Sequence, residues 1–145
     1  MLRLFKKNNA KDLHQELAST DARLALLKAE VAAQMIKLAG QTRDLAPLGQ
    51  AEESLLSARN YYNFEHTPVE IGMVQMALGD MLFSLGREKS DIDAIARARD
   101  AYRAAITLAS LHGDERQRQD LRDKVKLAES FLGQSPKTPP LFRVA

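Results

Sequence analysis

Apolar residues return along this chain at helical spacing, and the whole pattern returns after 47 residues. Leu27, Val31, Leu38 and Ala39 fall in register with Val74, Leu78, Leu85 and Gly86, and those with Leu121, Val125, Leu132 and Gly133. Each set places apolar side chains at i, i+4 and i+11 and closes on a small residue, which draws a stripe along one face of an α-helix. A unit copied about two and a half times at such a period predicts a stack of helical hairpins, each burying its stripe against its neighbours. No segment alternates apolar and polar residues with period two, so strands are not expected.

Five helices follow from the stop and start signals. The first opens at an Asn9–Asp12 cap and carries Leu13, Leu17, Leu24, Leu27, Val31, Met35 and Leu38 as its inner face, to a stop near Gly40. Asp44 and Pro47 start the second, with Leu48, Ala51, Leu55 and Ala58 inward, and it runs to about Phe64. Thr67-Pro68-Val69-Glu70 reads as a capping box with proline in the first turn, and the helix it opens ends at Gly86. Ser90-Asp91-Ile92-Asp93 is a second box, leading through Ile95, Ala98, Tyr102, Ala105 and Ile106 to about Leu111. Gly113-Asp114 resets the chain, and a fifth helix with Leu121, Val125, Ala128 and Leu132 stops at Gly133 and Pro136. Short connections force antiparallel neighbours. The expected division is a flexible basic arm over 1–8, a helical repeat domain over 9–133, and an extended tail over 134–145 containing Pro136, Pro139 and Pro140.

Residues 67–106 carry a recognisable pattern: Thr67-Pro68-Val69-Glu70, Gln75, Leu78-Gly79-Asp80, Leu82, Leu85-Gly86-Arg87-Glu88, then Ala98, Ala101-Tyr102-Arg103 and Ala105-Ile106. This unit resembles a tetratricopeptide repeat, and more narrowly a long-period bacterial variant whose helix-to-helix turn is about seven residues longer than usual. The resemblance implies that Leu78-Gly79 lets two helices approach closely, with the small Ala98 facing that pair from the partner helix. It is weaker on both sides, where Val31-Ala32 and Val125-Lys126 stand in place of Leu-Gly, and Lys126 marks the last helix as a cap. The implied architecture is all-α: a tetratricopeptide-like stack of two antiparallel pairs plus a capping helix.

The resemblance also implies a concave face lined by the first helix of each pair. Its positions are Met73, Met76, Asp80, Phe83 and Ser84, and the 47-residue offset adds Asp120, Asp123, Leu127, Ser130 and Phe131. Acidic residues among Met, Leu and Phe suit a peptide carrying basic and apolar side chains. The bland alternative is that Met73, Met76 and Phe83 pack against the next helix or the tail. The expected function is a non-catalytic adaptor holding a peptide or protein on that face. The alternative is a self-associating or membrane-surface accessory protein. In it the seven-spaced Leu17, Leu24, Val31 and Leu38, with Leu13, Thr20, Leu27 and Gln34 in the second seam position, form a homodimer seam on the first helix. The tail segment Pro139-Pro140-Leu141-Phe142 is a further candidate docking segment, for this protein's own groove or another's.

Charge and composition narrow the alternatives. The net charge of +2 hides an even mixture, since Arg116, Arg118, Arg122, Lys124 and Lys126 sit among Asp114, Glu115, Asp120, Asp123 and Glu129. A nucleic-acid binder shows a basic stripe on a folded face, so no nucleic-acid partner is expected. Leu2, Leu4 and Phe5 beside Arg3, Lys6 and Lys7 make only a short, salt-sensitive attachment, and membrane contact is not expected. There are no cysteines, no leader-like start and no apolar run of about 18–20 residues, which together suggest a cytoplasmic protein. His14, His66 and His112 lie far apart, and Glu52 and Glu53 diverge by about 100° on a helix. Without a phosphate loop, nucleophile elbow or metal-spaced histidines, neither catalysis nor a cofactor or metal is expected.

Overall fold

The computed structural model describes residues 2–63 and 65–133, with side chains from Ala10 onward. Five α-helices make up the described chain: α1 (Leu2–Thr42), α2 (Ala46–Ala58), α3 (Val69–Glu88), α4 (Ile92–Leu111) and α5 (Glu115–Gly133). A 3₁₀ turn over Arg59–Tyr61 extends α2, and there is no strand among the described residues. The fold is all-α. α1 pairs with α2 and α3 with α4, α3 also packs on α1, and α5 lies chiefly against α4. The tail over 134–145 and Phe64, where the second helix was expected to end, lie outside the described residues.

Several of the expected starts and stops move. α1 is helical from Leu2, so residues 2–8 belong to the helix rather than to a separate arm, and the helix does not start at Asn9. Its 41 residues span about 60 Å, three times the length of α2 with 13. Gly40 and Gly86 lie inside their helices instead of ending them. The left-handed turn residues are Arg43 (φ 57°) and Ser90 (φ 53°), three residues before α2 and two before α4. The glycines serve close approach instead. A Cβ on Gly40 would stand 2.9 Å from Met81 Cε, and one on Gly86 would stand 2.9 Å from Ile95 Cγ1. Gly113, with φ of 69°, does turn the chain between α4 and α5 as expected.

The second box shifts by one residue: Ser90 takes a left-handed turn, and Asp91 is the cap, its Oδ1 accepting from the Ala94 N–H at 3.1 Å. Asp114 does the same for α5, accepting from the Gln117 N–H at 2.9 Å. The Thr67 box does not form. Pro68 occupies the cap position of α3, and the buried Thr67 hydroxyl donates to the Asn63 carbonyl. Asn63 Oδ1 in turn accepts from the Glu65 and His66 N–H groups at 3.0 and 2.8 Å, so Asn63 organises the connection that the sequence assigned to a cap.

The largest correction concerns the inner face of α1. Its buried residues are Ala25, Ala29, Ala32, Ile36 and Ala39. The leucine stripe expected to fill that role points outward: Leu13, Leu17, Leu27, Val31 and Leu38 are 52%, 61%, 55%, 51% and 41% exposed. Each residue turns a helix by about 100°, so the two stripes lie on different sides of α1. The alanines let α2 and α3 approach closely. Buried residues of α3 (Ile71, Leu78, Leu82, Leu85) stand 46 residues beyond Ala25, Ala32, Ile36 and Ala39, one fewer than the offset seen in sequence. The offset of 47 does join the buried sets of α2 and α4, taking Leu48, Ala51, Leu55 and Ala58 to Ile95, Ala98, Tyr102 and Ala105.

α3 is the central helix. Its glycines at 72, 79 and 86 face Leu108, Tyr102 and Ile95 of α4, while Leu78 meets Leu55 and Leu56 of α2 around a shared cleft. It is long and apolar enough to cross a membrane by length and composition alone, but Ile71, Leu78, Leu82 and Leu85 are core residues.

Candidate interaction surfaces

Three surfaces stand out, and the first is the one the sequence pointed to. α3 and α5 both pack on α4, and side chains reach between them, Asp80 to Lys124 and Phe83 to Phe131. Asp80 Oδ1 accepts from the Tyr102 hydroxyl at 2.6 Å and from the Lys124 ammonium at 2.8 Å. That ammonium also stands 5.6 Å from the centre of the Tyr102 ring. Burial pushes the Tyr102 hydroxyl far above the usual phenol range, and its hydrogen bond to Asp80 and the charges of Asp80 and Asp120 push the same way. Tyr102 thus ties α4 to Asp80 of α3, with Lys124 of α5 over its ring.

The aromatic half of this surface packs on itself. Phe83 and Phe131 meet edge to face with ring centres 5.4 Å apart, and the Arg87 guanidinium lies 4.8 Å from the Phe131 ring and 5.7 Å from Phe83. Such contacts hold α5 onto α3 and use faces a peptide would need. Met76 is likewise half-buried against the core. Of the sequence-derived set, Met73 and Leu127 remain 57% and 49% exposed, and Ser84, Asp120 and Asp123 also face solvent. Asp123 accepts from the Gln119 amide at 3.1 Å, and the Ser130 hydroxyl turns back to the Leu127 carbonyl at 2.7 Å. The residues named from the sequence thus lie on two helices whose side chains meet, and Asp80, Phe83 and Phe131 among them bind those helices to each other.

The second surface was missed. A cleft of about 510 Å³ opens between the α2–α3 connection and the outer ends of α3 and α4, lined by Tyr62, Asn63, Thr67, Gln75 and Leu108 among others. Burial raises the Tyr62 hydroxyl above its ordinary value, with Arg59 pulling the other way. Its residues come from a connection and two helices and share no period, so nothing in the sequence pattern marked it. Arg59 and Thr107 also line it. Among the described residues no group of three His, Asp or Glu side chains is placed to hold a metal ion.

The third surface is the outward leucine stripe of α1. Residues 10–21 are all exposed, and the first contacts with the rest of the chain come where Ala18, Asp21 and Ala22 border a recess against Tyr61, Tyr62 and His66. Further along, the Ser54 hydroxyl donates to the Lys28 carbonyl at 2.7 Å, and the Lys28 ammonium lies 6.0 Å from the Tyr61 ring. α1 thus extends well past the hairpin that supports it, with leucines along a side that nothing in the described chain covers.

Comparison of the chain with known family models, with curated proteins and with solved structures gives no match.

Proposed function

We propose that this chain is a non-catalytic protein-interaction module that engages its partner through the outward leucine face of α1. The observation that carries the reading is the length and continuity of that face: five large apolar side chains, each more than two-fifths exposed, from Leu13 to Leu38. Monomeric proteins scatter exposed leucines singly, whereas a contiguous apolar stripe marks a contact surface.

The test is a paired substitution, Leu17→Glu with Leu27→Glu. Both side chains are exposed in the single chain, so the packed core should stay folded, while association through α1 should be lost. If the doubly substituted chain associates as the intact one does, the reading is wrong. A second reading, a peptide seat on α3 and α5, is favoured by the exposure of Met73 and Leu127 beside Asp120 and Asp123. It predicts that Met73→Lys with Leu127→Lys abolishes retention of a basic, apolar peptide and leaves α1-dependent association intact.

A further inference from the structure

Resting on that reading, we infer that the partner on α1 is a second copy of this chain, lying antiparallel, with Leu24 of one helix beside the partner's Leu27. The outward stripe follows the alternating three- and four-residue steps of a coiled-coil seam: Leu13, Leu17, Thr20, Leu24, Leu27, Val31, Gln34 and Leu38. Two orientations are open to a pair of such seams, and the flanking charges choose between them. On one flank stand Glu16, Arg23, Glu30 and Lys37; on the other stand His14, Asp21, Lys28 and Met35.

In a parallel pair each residue of the first flank meets the residue five further along on the other chain. That sets Glu16 against the partner's Asp21 and Arg23 against the partner's Lys28, so both charged contacts are repulsive. In the antiparallel pair each flank meets itself. Glu16 then faces the partner's Lys37, Arg23 faces the partner's Glu30, and Asp21 faces the partner's Lys28. All three are attractive, and the two-fold axis makes each occur twice. Within the described chain Glu16, Asp21, Arg23, Glu30 and Lys37 make no ion pair, which leaves these charges available for it.

The same alignment covers the unsupported part of α1. Residues 10–21, exposed throughout, come to lie against the partner's segment 30–41, the half of the helix that the hairpin braces. Leu13 meets the partner's Leu38, and Thr20 and Gln34 meet the partner's Val31 and Leu17 instead of their own copies. A lone helix of a dozen residues is marginal in water, so each braced half steadies the other chain's free half. The seam from Leu13 to Leu38 is about 38 Å long. A third of the surface of a cylinder about 12 Å across over that length is roughly 500 Å² per helix. A total near 1,000 Å² sits at the lower bound for a specific interface, so a reversible dimer with micromolar dissociation is expected.

The chain has no cysteine, which makes orientation directly testable. Sedimentation equilibrium of the full chain from about 1 to 200 μM brackets the micromolar range and should show a monomer–dimer equilibrium. Arg23→Glu should weaken it about tenfold, as an attractive pair becomes repulsive on both sides, and Arg23→Glu with Glu30→Arg should restore it. Single-cysteine variants Leu13→Cys and Leu38→Cys, mixed and oxidised, should give the mixed disulfide in preference to either homotypic one. A chain that stays monomeric throughout, tightening on Arg23→Glu, or homotypic disulfides would each overturn the proposal. The broader reading has its own readout. If the monomeric chain retains some other protein in a manner lost on Leu17→Glu with Leu27→Glu, α1 is an interaction face whose occupant is not a second copy. If that too is absent, both fail.

Discussion

Placing a single methyl group at Gly79 measures how closely α3 and α4 are pressed together. A Cβ built there stands 2.6 Å from both Cδ1 and Cε1 of Tyr102 and 3.1 Å from Cζ, where ordinary contact needs a further ångström. The ring cannot swing aside. Tyr102 is 3% exposed, its hydroxyl is held by Asp80 at 2.6 Å, and Lys124 closes the outer face. The helices must therefore move apart around it, and overpacking of this kind costs about 1–3 kcal/mol. Against that, alanine is the better helix former by about 1 kcal/mol. The net expectation for Gly79→Ala is a loss of roughly 1–2 kcal/mol, at the upper end because ring, hydroxyl and backbone are all committed. Gly49 in α2 is the control, since a Cβ there meets nothing within 4 Å and Gly49→Ala keeps the propensity gain alone. Urea unfolding followed by helical circular dichroism reads both. With a slope of about 2 kcal/mol per molar, Gly79→Ala should lower the midpoint by about 0.5–1 M and Gly49→Ala should raise it by up to about 0.5 M. If the two substitutions shift the midpoint alike, the close α3–α4 approach is wrong.

Other consequences follow from named contacts. The Tyr102 phenol binds its proton more tightly folded than unfolded, so its contribution is whole below the unfolded value near pH 10 and falls as pH rises beyond it, by up to about 1.4 kcal/mol per pH unit. Alkaline unfolding titrations should therefore show a decline that Tyr102→Phe flattens. Arg97 donates to both carboxylate oxygens of Glu52, tying α2 to α4, and this hydrogen bond raises the guanidinium pKa further. Glu52→Gln should lower stability by about 0.5–1 kcal/mol, a modest figure because solvent reaches both side chains. Asp80→Asn should loosen α5, read as faster amide exchange over Leu121 to Phe131, because Lys124 loses its charged partner.

Much of the fold was legible because helical period, glycine and capping residues act locally. The Gly113 turn needed only its neighbours in sequence and stands where expected, and the cap of α4 falls one residue past Ser90, on Asp91. The Thr67 cap failed because the helix begins one residue later, with Pro68 at the cap position, and the Thr67 hydroxyl turns back to donate to the Asn63 carbonyl, four residues back in the chain. Glycine was over-read as a stop at positions 40 and 86. A glycine inside a helix is as often a place where another helix must come close, and sequence alone does not name the side chain that approaches. The recess beside Tyr62 left no trace at all, because it belongs to the gap between segments rather than to any one of them.

The leucines of α1 show where reading by period stops. Periodicity establishes which side chains share a face; it says nothing of what lies opposite. Two stripes compete on α1, one of leucine and valine and one mostly of alanine, and hydrophobicity favours the first for the interior. Packing decides otherwise, because α2 and α3 both have to reach the same helix, and alanine permits an approach that leucine would block. The larger residues are displaced to the side where no neighbour crowds them. A stripe that strong would be an aggregation hazard if left bare, and the charges at Glu16, Arg23, Glu30 and Lys37 alternate in sign beside it rather than simply shielding it. Alternation of that kind favours one alignment of two like helices over the others. The self-association proposed from heptad spacing thus acquires an orientation from the charges, because the leucine stripe faces out.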